Sequence, residues 1–158
     1  MNKELLPFLN YKYEQGIQDC FSLVREYYQT KYQLEIRNYA RPDKWYVNSE
    51  LDFFNQKFET EGFFDTGYSA HKVRHGDVLL MFLGRSEVVN HVAIYVGRNK
   101  ILHHLEGKPS ALDEYNDKWR YRVSRVLRHP EVELAIDSVT LSNLHQGLPI
   151  HIRKKLRG

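Results

Sequence analysis

The spacing of apolar residues changes once along this 158-residue chain, close to residue 76. Before that point apolar residues recur at the three- and four-residue steps of an amphipathic helix, and after it they form short continuous or alternating runs typical of strands. Parallel strands would need helices between them, whereas antiparallel strands are joined by short turns. Helices followed by a run of strands therefore predict an α+β domain with N-terminal helices packed on an antiparallel sheet.

Two helices are predicted in the first half of the chain. The first begins at Cys20, the only cysteine, and runs to about Tyr32; its apolar face is formed by Leu23, Val24, Tyr27 and Tyr28. Asp19 precedes it as a natural N-cap, because its carboxylate can accept a backbone N–H of the first turn. The second helix is predicted to begin at Asn48 or Ser49 and to stop at Gly62.

The strands are predicted in the second half. The run 78–83 is apolar throughout, which is typical of a strand buried on both faces. The runs 90–97 and 101–105 flank a short Gly/Asn loop and predict a β-hairpin. The run 121–128 alternates like a half-solvated strand.

The remaining segments carry weaker patterns. Residues 1–15 read as an irregular approach to the first helix, and residues 35–43 as a loop. Residues 61–68 combine glycines and aromatics and are predicted to form an ordered loop that lines a cleft. Residues 111–119 are predicted to hold a short helix.

The last 28 residues differ in character from the rest, so we divide the chain into a domain over 1–130 and an extension over 131–158. Three leucines of the extension share one helical face, and its end is basic: Leu141, Leu144, Leu148, Arg153, Lys154, Lys155 and Arg157. A basic terminus is usually a solvated end. The functional interpretation is a segment that docks on an acidic partner.

Composition excludes several classes of protein. One cysteine forms no intramolecular disulfide, and the sequence contains no Cys/His cluster at zinc spacing, so structural zinc is not expected. A net charge of +3 is too small to indicate sequence-specific nucleic-acid binding. The N-terminus lacks the long apolar run of a signal peptide and no segment is long enough to span a membrane. We expect synthesis in a cytoplasm, with any action outside it requiring another route of delivery.

Cys20 is the residue most suited to covalent chemistry. A thiol in the first turn of a helix lies at the positive end of the helix dipole, which favours the thiolate. The alternative is an inert core cysteine, because free cysteines are among the most buried residues. A nucleophilic cysteine needs a base within hydrogen-bond reach and a polar group that orients this base.

Histidines on the predicted hairpin are the candidate bases. His91 begins one strand, while His103 and His104 lie on the other and point to opposite faces. A two-residue turn at Arg98 and Asn99 puts His104 on the face of His91, whereas a three-residue loop puts His103 there. In either register the rings remain about 7 Å or more apart along the strands, so we expect a bend or bulge that brings them together.

Several motifs occur in a fixed order along the chain: Gly16-x-x-Asp19-Cys20-x-Ser22-Leu23-Val24-Arg25, Gly76-Asp77-Val78-Leu79, Asn90-His91-Val92-Ala93-Ile94-Tyr95-Val96-Gly97 and Ile101-Leu102-His103-His104-Leu105. Together they resemble the NlpC-type cell-wall cysteine peptidases over about residues 8–130. More narrowly, the chain is similar to the tail-assembly members of that family in long-tailed bacteriophages, which share a Leu-His-His-Leu strand and an Arg-His-Pro, here Arg128-His129-Pro130.

The resemblance implies a papain-like α+β fold and a cysteine peptidase that hydrolyses the stem peptides of peptidoglycan, typically between a D-glutamyl residue and a diamino acid. It implies Cys20 as nucleophile, His91 as base and His103 as third member. Tyr13 and Asp19 are expected on the oxyanion and substrate side of the site, with Tyr11 as a competitor for the role of Tyr13 and simple packing as the alternative. No cofactor is implied.

The same resemblance implies a place in the virion, at the tip of a phage tail, among other tail-tip proteins. A catalytically silent structural component of the tail tip is the alternative function. An acyltransferase on the same fold is a third, which would pass the acyl group to an amine or alcohol in place of water.

Overall fold

The computed structural model describes residues 3–41, 45–47 and 52–132. Its helices are a 3-10 helix at Lys3–Phe8, α1 at Cys20–Tyr32, a 3-10 turn at Trp45–Val47, α2 at Phe53–Thr60 and α3 at Asp117–Arg120. Its strands are β1 at Phe64–Asp65, β2 at Val78–Met81, β3 at His91–Tyr95, β4 at Lys100–His103, β5 at Ala111–Glu114 and β6 at Val123–Arg128.

The six strands form one antiparallel sheet in the order β1-β6-β2-β3-β4-β5. This confirms the predicted α+β class with helices packed on an antiparallel sheet. All four residues of β2 are buried, as its continuous apolar run predicted. The strands β3, β4 and β5 follow one another as neighbours, so their side chains on one face lie side by side.

Both faces of the sheet are covered. Helix α1 packs on one face, and α2 packs on α1 through the rings of Phe58 and Phe21, 5.7 Å apart between centroids. These two rings belong to the same buried cluster as the inward side chains of the central strands: Val78, Leu80, Val92 and Ile94. Tyr115 and Trp119 cover the opposite face, against Leu79, Met81 and Ala93. Because successive strand residues point to opposite faces, a strand covered on both sides has to be apolar at every position.

Helix α1 begins and ends where its sequence predicts. Asp19 has an extended backbone (φ −135°) and its side chain accepts the backbone N–H of Ser22, which is N-cap geometry. At the other end Gln33 takes a left-handed conformation (φ 51°) and its N–H bonds to the carbonyls of Gln29 and Tyr28. The helix lies against β3 and β4, which fixes Cys20 over the start of the hairpin.

Some predicted elements differ from those observed. Residues Lys3–Phe8 form a 3-10 helix where an irregular approach was expected, and Ala111–Glu114 form a strand where a short helix was expected, the helix following at Asp117–Arg120. The segment 61–68 contains the short strand β1 at the sheet edge and does not line the main cavity, so that prediction was wrong.

Other predictions lie partly or wholly outside the described residues. Helix α2 begins at Phe53, while Asn48 and Ser49, its predicted starts, are not among those residues. The predicted docking segment lies there too, and the division at 130 stays a prediction. In the described part of the chain no helix has the length and apolar character to cross a membrane.

Candidate active site

A cavity of about 670 Å³ lies where the head of α1 meets the start of β3. Cys20 and His91 both line it, together with Tyr13, Asp19 and His104. The structure thus gathers the nucleophile, base and substrate-side residues predicted from the sequence around one opening. His103 lies behind His91 and does not line the cavity.

Cys20 is a partly exposed residue that lines this cavity. Burial raises the pKa of the thiol to about 12, and the charge of Asp19 adds to the rise. Backbone N–H groups of Val92 and Phe21, together with the charge of Arg41, act in the opposite direction without overcoming it. This rise of the pKa favours the protonated thiol, against the expectation that the helix terminus keeps the sulfur charged. A base has to remove the proton.

Asp19 is held on all sides by protein groups. Its carboxylate accepts hydrogen bonds from the backbone N–H groups of Gly16 (2.9 Å) and Ser22 (3.0 Å) and forms a buried ion pair with Nε of Arg41 at 2.8 Å. Burial alone would raise the pKa of Asp19, but Arg41 and Ser22 hold it below its usual value. The carboxylate thus stays charged and fixes the turn that carries Cys20.

Arg41 is a residue that sequence reasoning missed. Besides Asp19, its guanidinium donates to the carbonyls of Gly16 (2.8 Å) and Tyr39 and to the hydroxyl of Ser22 (3.1 Å). It therefore ties the loop after α1 to the turn before it. No local pattern marked Arg41, because it lies in a segment without periodicity and meets Asp19 only through the fold.

His91, His103 and Asp113 form a hydrogen-bonded row on one face of the sheet, which we call the His-His-Asp row. Nε2 of His91 lies 2.9 Å from Nδ1 of His103, and Nε2 of His103 lies 2.7 Å from Oδ2 of Asp113. The two imidazole rings are 5.0 Å apart between centroids. Asp113 was not predicted as a site residue, because its segment was expected to be helical.

The register of the hairpin explains this meeting. The strands pair Ala93 with His103, so His103, not His104, shares the face of His91. Just beyond β3 the N–H of Val96 still bonds to the carbonyl of Lys100 at 3.0 Å, which leaves Gly97–Asn99 as a three-residue loop. His91 and His103 are diagonal neighbours, a separation that large side chains can span. The expected bend or bulge was therefore wrong, since the pairing of β3 with β4 is regular.

Burial keeps both histidines of the row neutral. The pKa of His91 lies well below its ordinary value because the ring is buried, and His103 and His104 lower it further. Burial also lowers the pKa of His103, although the carboxylate of Asp113 opposes this effect. A neutral imidazole has one lone pair that can take up a proton, as a general base requires.

His104 occupies the opposite face of β4, next to Tyr13. The rings of the two residues meet edge to face at 5.3 Å between centroids. His104 is buried, and within the described structure neither of its ring nitrogens has a hydrogen bond of full geometry, although backbone groups of Lys108 and Tyr11 lie near enough to act on the ring. Burial lowers its pKa, so this ring is neutral as well.

Tyr13 and Tyr11, the two candidates upstream of Cys20, face different surroundings. The hydroxyl of Tyr13 donates to the side chain of Gln15 beside the cavity, and burial raises its pKa, so it remains a neutral phenol. The hydroxyl of Tyr11 instead bonds to Pro7 and Glu26, and Tyr11 is not among the cavity walls. Of the two, only Tyr13 is in position to meet a substrate.

The rest of the cavity is built from two further walls. Trp45 and Tyr46 form one, with the hydroxyl of Tyr46 donating to Glu106 at 2.8 Å. The loop 83–87 forms the other, and Asn90 holds it by exchanging hydrogen bonds with both backbone groups of Leu83. Within residues 3–41, 45–47 and 52–132, no group of three or more His, Cys, Asp or Glu side chains is arranged to hold a metal ion.

A cysteine at the head of a helix, set against an antiparallel sheet that carries histidines, defines the papain-like class of α+β folds. Within that class the chain belongs to the NlpC/P60 family, whose model matches residues 10–128. The match covers the described helix α1 and every strand of the sheet.

Two curated relatives are phage proteins. Tail tip assembly protein K of Escherichia phage lambda is 35% identical over 118 residues, which make up 75% of this chain and 57% of that protein. The protein of the same name from Escherichia phage N15 is 28% identical over 129 residues, 80% of this chain and 51% of that protein. The chain thus spans about half the length of these relatives.

A solved structure supports the fold. A Staphylococcus aureus protein described as similar to lipoprotein, of the NLP/P60 family, superposes with a TM-score of 0.53 over 79% of this chain and 38% of its own, at 17% identity. At this identity the likeness concerns the fold alone.

Proposed function

We propose that this protein is a phage tail-tip cysteine peptidase that hydrolyses amide bonds in the stem peptides of peptidoglycan. The observation that carries the proposal is the His-His-Asp row, which engages Nε2 of His91, a residue that lines the same cavity as Cys20. The place in the virion rests on the names of the two phage relatives. The bond between a D-glutamyl residue and a diamino acid is the proposed point of cleavage.

The proposed reaction begins from a neutral pair. His91 removes the proton of Cys20 as the sulfur attacks the amide carbon, which forms the S–C bond and a tetrahedral intermediate. The backbone N–H of Cys20 and the phenol of Tyr13 donate to the developing oxyanion. His91 then gives the proton to the leaving amine as the C–N bond breaks, and a water molecule, deprotonated by His91, hydrolyses the thioester.

Asp19 serves this reaction by positioning the turn that carries Cys20. Its carboxylate is fully engaged by Arg41 and by backbone groups, so we assign it to holding the Cys20 turn and not to binding substrate. Arg41 has the same role from the other side of the ion pair. His103 orients His91 through the hydrogen bond between their rings.

The test is cleavage of a defined muropeptide by the purified chain. We expect mass spectrometry to detect the two peptide fragments with the wild type. We expect the rate to fall by about 10³-fold or more in Cys20→Ala and in Cys20→Ser, because the nucleophile is lost. Circular dichroism of both variants checks that the fold is kept. Transfer of the acyl fragment to an added amine instead of water would identify an acyltransferase.

The second candidate is a structural component of the tail tip without turnover. It is favoured by the names of the phage relatives, which describe assembly. This function would be selected if the muropeptide assay gave no more cleavage with the wild type than with Cys20→Ala. The comparison is made with the purified chain and with assembled tails.

The predicted extension 131–158 belongs to the same proposal as a segment that docks on other tail-tip proteins. Its leucines and basic residues fit an acidic partner with an apolar groove. Deletion of residues 141–158 should abolish co-purification with tail components while leaving the folded domain intact. Unchanged co-purification would rule this docking role out.

A further inference from the structure

The His-His-Asp row crosses three adjacent strands. Asp113 on β5 pairs with Ile101, and Ala93 on β3 pairs with His103 on β4. His91 and Asp113 are therefore both diagonal neighbours of His103 on the same face of the sheet, one on each side. The same offset that joins the two histidines also brings the carboxylate to the second nitrogen of His103.

His103 is fixed in the middle of the row. Its side chain is 0% exposed, and both ring nitrogens are hydrogen-bonded, at 2.9 Å to His91 and at 2.7 Å to Asp113. The ring of Trp119 on α3 meets it edge to face at 4.7 Å between centroids. The imidazole thus has neither the space nor the partners for another orientation.

The carboxylate decides where the protons lie. An ionised carboxylate only accepts hydrogen bonds, so the proton of a neutral His103 has to lie on Nε2. Nδ1 of His103 then carries a lone pair and accepts from Nε2–H of His91. That leaves Nδ1 of His91 without a proton, and it is the nitrogen free to act as base.

We propose that Asp113 is a positioning residue of the site, which acts through His103 and sets the proton positions of both histidines. The inference rests on the proposed role of His91 as base. Without the carboxylate the hydrogen bonds of the row can run in either direction. An amide or a water molecule at this place can donate to Nε2 of His103, whereas a carboxylate can only accept from it. The reversed row puts a proton on Nδ1 of His91, and a protonated nitrogen does not take the proton of Cys20.

The charges around His103 are few. Asp113 faces it from β5 and favours its protonated form, Lys118 from α3 opposes that form, and His91 from β3 is neutral. The side chain of Asp113 is 42% exposed, so solvent screens part of its charge effect on His103. Loss of the carboxylate should therefore lower the pKa of His103 further.

Two substitutions form a matched pair. Asp113→Asn removes the carboxylate and keeps the shape, while Glu114→Gln removes the same charge one residue away, where Glu114 is exposed and paired with Lys100. Asp113→Glu keeps a carboxylate at the site and serves as the conservative variant. All three are made in the full chain.

The first measurement is nitrogen-15 NMR of the histidine rings, which reports tautomers without any substrate. We expect Nε2–H on His91 and His103 in the wild type, in Glu114→Gln and in Asp113→Glu, and a mixture of tautomers in Asp113→Asn with the lowered pKa of His103. Unchanged tautomers in Asp113→Asn, or the same change in Glu114→Gln, would overturn the inference.

The second measurement is muropeptide cleavage. We expect kcat to fall by about 10–100-fold in Asp113→Asn with KM unchanged, and to recover in Asp113→Glu. A tautomer change in Asp113→Asn without Cys20-dependent cleavage in any variant would refute the proposed function and leave the role of Asp113 supported. Full kcat in Asp113→Asn would refute the role itself.

Discussion

At the scale of single residues, three neighbouring histidines of the hairpin take different roles although they share one side-chain chemistry. His91 and His103 lie on one face and bond to each other, while His104, next in sequence to His103, points to the other face. The difference follows from one extra residue in the loop, Gly97–Asn99 in place of a two-residue turn. Parity along a strand decides which histidine joins a site.

The two ring nitrogens of His104 allow a test of what burying them costs in stability. Both are buried without a hydrogen bond of full geometry in the described structure, which costs stability that an apolar side chain of similar size would not lose. We expect His104→Leu to keep the free energy of unfolding or to raise it by about 1 kcal/mol, measured by urea denaturation.

His129→Leu is the matched control with the opposite sign. Both ring nitrogens of His129 are paired, one with the carbonyl of Glu61 and one with the N–H of Glu131, each at 3.1 Å. His129→Leu removes both hydrogen bonds and should lower the free energy of unfolding by about 1–2 kcal/mol. A larger loss in His104→Leu than in His129→Leu would contradict this reading of His104.

At the scale of elements, the sequence was most informative where local and tertiary preferences agree. Helix α1 was predicted with both ends because its apolar period, its Asp19 cap and its burial all favour the same residues. Strand β5 was missed because Ala-Leu-Asp-Glu has little strand propensity, and pairing with β4 alone makes it a strand. Asp113 was missed for the same reason, since its place in the site exists only through that pairing.

The turn before α1 depends on a buried ion pair that no local signal predicts. Asp19 and Arg41 have side chains 4% and 1% exposed, so neither charge is solvated once the other is removed. We expect Arg41→Met to lower the free energy of unfolding by about 3 kcal/mol or more, because it leaves the carboxylate buried and uncompensated.

The double variant Asp19→Asn/Arg41→Met separates pairing from packing. Asn removes the unpaired charge and still caps a helix, so at least about 1 kcal/mol of the loss should return. Urea denaturation of the two single variants and the double variant completes the cycle. A double variant less stable than Arg41→Met would show that the charge pair does not govern this turn.

At the scale of the whole molecule, the domain buries neutral histidines in several places. Burial lowers the pKa of five of them below the ordinary value, at the site and far from it: His75, His91, His103, His104 and His129. In the unfolded chain these side chains take up protons near pH 6.5, while in the folded chain they do so only at lower pH. The unfolded state therefore binds more protons below that point.

The sign of the pH dependence follows from this difference. The stability contributed by the neutral histidines is fully present above about pH 6.5 and is lost as the pH falls toward their folded pKa values, by up to about 1.4 kcal/mol per histidine and pH unit. Urea denaturation at pH 7.5, 6.5 and 5.5 should show a loss that is severalfold larger in the lower interval than in the upper one, because at pH 6.5 each unfolded histidine is only half protonated.

His75 packs against Tyr27, away from the cavity, with Nε2 2.7 Å from the tyrosine hydroxyl. His75→Gln should flatten the lower interval, whereas substitution of the exposed His71 by Gln should not. Equal slopes in both variants and the wild type would mean that groups other than buried histidines set the acid limit of this fold.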